Sequence, residues 1–142
     1  MSATPSDRLQ RVIDALPLTP GTRVLEIGGA PGAAARAVAA LVGPTGHILV
    51  LDRSPTGIRQ TERNCAAEID AGVLSTLCAH VEDFELPADL LRFDIAFACR
   101  VGALDGRHPR LYAAALSSIW DALTLTGRLF VDTGDPLTEV GR

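Results

Sequence analysis

The residues Glu26-Ile27-Gly28-Gly29-Ala30-Pro31-Gly32 follow the apolar run Thr22 to Ile27 and precede an alanine-rich stretch. Glycines in such a turn reach positive φ and let backbone N–H groups approach a ligand, while the next helix presents its positive N-terminal end. Taken alone, a turn of this kind can be no more than a tight connection. Asp52 adds a second feature, closing the next apolar run 20 residues past Gly32 and 24 past Gly28. An acid at that strand end accepts hydrogen bonds from both hydroxyls of a ribose. Capping the following helix is the other role open to Asp52, although Ser54 is better placed for it. Turn and acid together predict an adenosine-containing cofactor.

A polar cluster lies between Cys99 and His108, where Arg100, Asp105, Arg107 and His108 follow another apolar run. Imidazole accepts protons near neutral pH, so His108 is the candidate general base, with Asp105, Tyr112 and His80 behind it. Plainer roles compete. His108 beside Pro109 can simply open a helix, Tyr112 and Trp120 fall on an apolar helical face, and His47 sits at the opposite end of its strand. Cys65, Cys78 and Cys99 form no CxxC pair and lie in apolar stretches, which predicts buried thiols in a reducing compartment and no metal site.

The elements that must position these residues alternate between β-rich runs and helical periodicity, the order of a parallel sheet with crossover helices. Residues 6–16 predict a helix capped by Ser6. Strands are expected at 22–27, 47–51, 73–79, 93–98 and 127–132. Helices are expected at 32–42, at 55–70 with Ile58, Cys65 and Ile69 inward, and at 109–123, with a short one at 86–91. Right-handed crossovers wind such units into the order 3-2-1-4-5, and ligands bind beyond the strands' carboxyl ends at the switch point. The segments 28–32, 52–54, 80–84, 99–108 and 133–136 should meet there.

The 142 residues fit one domain, 1–142, and 47% apolar against 21% charged residues is a globular balance. A net charge of −4 without a basic patch argues against nucleic acid and anionic membrane surfaces as partners. The first residues lack the order of a signal peptide, and no apolar run approaches the ~20 residues of a membrane span, so the expected location is cytoplasmic.

The segments VLEIGGAPG (24–32), VGPTGHILVLDRSPTGIRQTERN (42–64), HVEDFELP (80–87), FDIAFACRVGALD (93–105) and LTLTGRLFVD (123–132) together resemble the class I S-adenosylmethionine-dependent methyltransferases. The resemblance runs from Val24 to Asp132 in the family's order. It implies a Rossmann-like α/β fold and S-adenosyl-L-methionine as cofactor. It also implies roles for individual residues. Glu26 would support the loop and the cofactor's amino end, and Gly28, Gly29, Ala30 and Gly32 would line the methionine and ribose. Asp52 would hold the ribose hydroxyls and Arg53 would flank the adenine. His80, Val81 and Glu82 stand where the family contacts the adenine edge. Cys99 and Arg100 would lie near the methionine moiety and the substrate entrance.

Three features depart from the family pattern. Ala30 followed by Pro31 replaces the second loop glycine, and His80 replaces the common adenine-binding Asp. The chain also ends about ten residues after Asp132, so the usual C-terminal antiparallel hairpin is expected to be missing. Either the tail 133–142 then folds over the fifth strand, or two chains pair there, and a homodimer through that edge is the expectation. The expected activity is in-line methyl transfer to a small-molecule acceptor. A non-catalytic cofactor-binding module is the alternative. An NAD-binding domain is less favoured because Glu26 would stand close to a diphosphate.

Overall fold

Ser6 accepts a hydrogen bond from the Leu9 N–H and so caps the first helix, α1 (Asp7–Ala15), which buries Val12 and Ile13. The computed structural model describes residues 4–142. After α1 come β1 (Arg23–Ile27), α2 (Ala33–Val42), β2 (His47–Asp52), α3 (Pro55–Asn64), α4 (Ala66–Asp70) and β3 (Leu74–Cys78). β4 (Phe93–Ala98), a 3₁₀ turn (Pro109–Leu111), α5 (Tyr112–Ala122), β5 (Leu123–Val131) and β6 (Thr138–Val140) complete the chain. The strands form one sheet in the order β3-β2-β1-β4-β5-β6, the doubly wound Rossmann-like arrangement. Pairing is parallel from β3 to β5 and antiparallel between β5 and β6.

Strand alternation divides the core in two. Val24, Val50 and Phe97 pack on one face with Val12, Ala35 and Val38 of α1 and α2. Leu25, Ile27, Leu49, Leu51 and Ala98 pack on the other with Ala115 and Ile119 of α5. The register sets Ile27 beside both Leu51 and Ala98. The carboxyl ends of β1, β2 and β4 therefore stop at one level, and the residues following them share one rim.

Some local expectations are corrected. The helix expected over 55–70 breaks at Cys65 (φ −112°, ψ 24°), whose thiol reaches the Gly32 carbonyl at 3.6 Å. Residues 86–91 form only a turn, Leu90 N–H to Pro87 O, while Arg23 holds the Leu91 and Arg92 carbonyls and keeps the segment extended. In α5, which follows the 3₁₀ turn, Ala115, Ile119 and Ala122 are buried, and Leu116 and Trp120 pack partly against the core. Tyr112 is exposed instead, and Trp120 is half-buried beneath the Arg142 guanidinium. Cys65 is buried, whereas Cys78 is exposed and Cys99 intermediate. β5 starts four residues before Gly127, across an irregularity opposite Phe93–Ile95. His47 lies at the far end of the sheet as expected, its ring between Gly72 O (3.0 Å) and Ser75 Oγ (2.7 Å). No helix among the described residues is long and apolar enough to cross a membrane.

The expected bare edge at the fifth strand is also corrected. The tail returns as β6 and pairs Leu129 to Val140, Phe130 to Glu139 and Val131 to Thr138. Arg128 grips Glu139 through two bonds of 2.9 and 2.7 Å. Arg142 donates to the Leu125 carbonyl at 2.9 Å and stacks 4.8 Å from the Trp120 ring centroid. Of the two covers expected for this edge, the tail of the same chain is the one that occupies residues 129–131. If β6 is what blunts this edge, a chain ended after Gly134 should self-associate more strongly than the 142-residue chain. Light scattering over a concentration series measures this, and equal masses would show that the edge needs no cover.

Candidate functional site

A cavity of about 260 Å³ opens at the carboxyl ends of β1 and β2. Its wall takes Ile27 and Gly28 from β1 and its turn, Leu51 to Arg53 from β2, Ala79 to Glu82 after β3, and Arg100 to Ala103, Arg107, His108 and Leu111 after β4. Of the expected site residues, Gly28, Asp52, Arg53, His80, Val81, Glu82, Arg100 and His108 are brought together here. Glu26, Gly29, Ala30, Gly32 and Cys99 do not line this cavity. Strand alternation separates two of them. Ile27 and Leu51 belong to the α5 face, whereas Glu26 and Cys99 follow the opposite one. The segment 133–136 does not reach the cavity either, because the chain turns there toward β6 and Asp135 pairs with Arg11 at 2.7 Å.

Asp52 organises the rim. Its Oδ2 accepts the Ala30 N–H at 3.1 Å and its Oδ1 the Ser54 N–H at 3.0 Å. Ser54 itself caps α3 by accepting the Gly57 N–H at 3.0 Å. Each carboxylate oxygen carries one backbone hydrogen bond and keeps further lone-pair capacity toward the cavity it lines. The turn is shaped by Gly28 (φ 74°) and Gly32 (φ 104°), both in the left-handed region that disfavours side chains. Gly28 N–H donates to Leu51 O at 2.7 Å, tying the turn to β2. Space is short as well. A Cβ on Gly32 would come 2.7 Å from Cys65 Sγ, and one on Gly57 would come 2.8 Å from the Ala30 methyl.

Beneath this turn lies Glu26, 4% exposed, with Oε1 buried and unpartnered. A Cβ on Gly29 would stand 2.6 Å from that oxygen. Burial first, and the neighbouring Asp52 second, push the Glu26 carboxyl up to about 8. Cys99 lies on the same side, where burial, then Asp132 and Glu26, push its thiol up to about 11. Arg8, 3.7 Å from Asp132, is the cation of this neighbourhood.

The segment after β4 was recognisable as a polar cluster, but its fold was not. Val101, Gly102 and Ala103 line the cavity within the expected segment 99–108, though none was singled out, and Leu111 lines it from beyond that segment. Their only sequence signal was their place between strand 4 and the next helix. The His108 N–H donates to Gly102 O at 3.0 Å, and the imidazole lies against Gly102 where a Cβ would collide with it. Arg107 bonds Asp105 at 2.9 Å and donates to the Arg100 carbonyl at 2.8 Å.

A six-stranded sheet of this order, with a glycine turn after β1 and an acid ending β2, defines a Rossmann-like domain, and the family profile it matches makes it one of the S-adenosylmethionine-dependent methyltransferase type. The family profile of protein-L-isoaspartate(D-aspartate) O-methyltransferase matches residues 4–83, more than half of the chain, and the chain belongs to that family. A protein-L-isoaspartate O-methyltransferase of Methanothrix thermoacetophila is 43% identical over 51 residues, 36% of this chain and 24% of the relative. A solved protein-L-isoaspartate O-methyltransferase superposes with a TM-score of 0.68 at 20% identity, covering 92% of this chain and 38% of that one. A methyltransferase of Thiobacillus denitrificans, solved with S-adenosyl-L-homocysteine, gives 0.67 at 18% identity, covering 92% and 49%. The chain thus spans less than half the length of these relatives.

The Glu26 carboxyl gives this site a pH signature. Its pKa is raised by folding from an ordinary 4.5 to about 8, so the folded chain keeps a proton that the unfolded chain loses. This contribution to stability is complete below the unfolded value and is lost as pH rises through the folded one. At about 1.4 kcal/mol per pKa unit, the wild-type chain should lose on the order of a few kcal/mol across that window, and Glu26→Gln much less. Urea unfolding at a series of pH values measures the difference. Parallel stability curves for the two proteins would refute the buried proton.

Proposed function

We propose that this chain binds S-adenosyl-L-methionine and promotes transfer of its methyl group to an acceptor oxygen. The observation that carries the reading is Asp52, bonded to the glycine turn at Ala30 and lining the cavity between Gly28 and the residues after β3. The residues present fit the group. Asp52 would accept from the ribose hydroxyls, Arg53 and His80 to Glu82 would border the adenine, and the Gly28 turn would pass beneath the methionine. The unpartnered oxygen of Glu26 is an acceptor for the cofactor's ammonium, whose approach would favour loss of that carboxyl's proton. When bound, the cofactor supplies a methyl group already activated by a sulfonium. The protein's part is then to position the acceptor and exclude water.

For the acceptor we favour a carboxylate, following the family to which the chain belongs. A carboxylate is already anionic at neutral pH and needs no proton removed, so His108 would be free of the role of base. A small-molecule acceptor is the second reading, and the wall from Arg100 to Leu111, which confines the cavity to about 260 Å³, favours it. With a hydroxyl acceptor, His108 would be the base and His108→Ala would depress turnover by roughly 10²-fold.

Titration calorimetry with S-adenosylhomocysteine tests the cofactor. Asp52→Ala should weaken binding about tenfold or more, since a hydrogen bond to a charged group contributes roughly 1.5–3 kcal/mol. Unchanged affinity would remove Asp52 from the site, and stronger binding of NAD would overturn the proposal. Methyl-labelled cofactor offered with an isoaspartyl peptide, and separately with a pool of metabolites, tests the acceptor. Label in neither pool despite tight cofactor binding would favour a non-catalytic module.

A further inference from the structure

Arg100 is the only non-glycine residue with positive φ (55°) among the described residues. The left-handed region places Cβ too close to the following carbonyl oxygen, so a side chain there is held at a cost that the surroundings must offset. Both backbone groups of Arg100 are pinned by charged side chains. Its N–H donates to Asp132 Oδ2 at 3.0 Å, and its carbonyl accepts from Arg107 Nη2 at 2.8 Å. Arg107 is in turn fixed by Asp105 at 2.9 Å. Three charged residues thus maintain a conformation that glycine would adopt freely.

The side chain kept in that position lines the cavity and is exposed. Arg53 also lines the cavity, while three other charged groups near it are engaged. Arg107 is matched by Asp105, Arg8 by Asp132, and Asp52 by two backbone N–H groups. The Arg100 guanidinium has no hydrogen bond or ion pair among the described residues. A guanidinium presents donors in a planar fork that matches a carboxylate.

Resting on the methyltransferase reading above, we propose that Arg100 is the residue that binds the acceptor's carboxylate, and that its strained backbone is maintained to hold it at the cavity. One carboxylate oxygen accepts from the guanidinium, and the other remains free to attack. That oxygen's electron pair forms the new bond to the methyl carbon. The carbon–sulfur bond breaks with its electron pair going to sulfur, which leaves a neutral thioether and a methyl ester, and no proton moves. A cofactor of this kind also carries a carboxylate. Binding of S-adenosylhomocysteine, which carries that group, is therefore measured apart from binding of the acceptor.

The test uses the 142-residue chain and two variants, Arg100→Gly and Arg100→Lys. Calorimetry first measures S-adenosylhomocysteine alone, then an isoaspartyl peptide added to the saturated complex. Arg100→Gly should weaken the peptide by roughly tenfold or more and S-adenosylhomocysteine by much less, with Arg100→Lys between it and wild type. Arg100→Gly should also melt roughly 2–5 °C higher, because the strain is relieved. Peptide affinity that is equal in all three proteins, or absent in wild type, overturns the assignment. Loss of S-adenosylhomocysteine affinity in Arg100→Gly assigns the carboxylate to the cofactor and overturns it as well. A lower melting temperature for Arg100→Gly overturns the claim of strain. Failure of wild type to bind S-adenosylhomocysteine is a different result, which defeats the methyltransferase reading itself.

Discussion

The carboxylate of Asp52 between the N–H groups of Ala30 and Ser54 is the interaction on which the site depends. It joins the end of β2 to the turn after β1, and through Ser54 to the cap of α3. One side chain at a strand end thereby fixes the relative positions of three elements whose loops would otherwise be independent. The parallel register makes this possible by bringing Ile27, Leu51 and Ala98 to the same level. A buried parallel sheet fixes where its strands end, but only a polar link such as this one fixes the path of the chain beyond them.

Much of this arrangement was legible in the sequence, because its causes are local. Apolar runs punctuated by glycine and proline marked β1 to β4, and Ser6 and Ser54 announced the helices they cap. Asp52 and the glycine turn were readable because their spacing follows from one crossover helix between two strands. What escaped depended on tertiary partners. The break at Cys65 arises from its contact with Gly32, 33 residues earlier in the chain. β6 forms on a strand edge that no local pattern of residues 138–140 reveals. The fold of residues 99–111 rests on Arg107, Asp132 and Gly102 acting across the loop. The division of Glu26 and Cys99 from the cavity could have been read from strand alternation, since both are an even number of residues from core positions on the α1–α2 face.

That division gives the sheet's rim two electrostatic characters. On the α1–α2 side, burial keeps the Glu26 carboxyl and the Cys99 thiol protonated, and Asp132 faces Arg8. On the α5 side, the cavity is lined by charges of both signs, Arg53 and Arg100 with Asp52 and Glu82. A ligand spanning the rim therefore meets buried, proton-holding groups at one end and charged groups of both signs at the other.

The contact between Ala30 and Gly57 has a consequence for how such sequences drift. Ala30 carries a methyl in the turn after β1, and Gly57, in the first turn of α3, leaves the space that this methyl fills. Glycine is a poor residue inside a helix, so position 57 has a standing preference for something larger. It can yield to that preference only in a chain that first changes position 30 to glycine. The two sites are therefore expected to change as a pair and in that order. A lineage carrying alanine at 30 should hold glycine at 57 long after the surrounding surface of α3 has diverged.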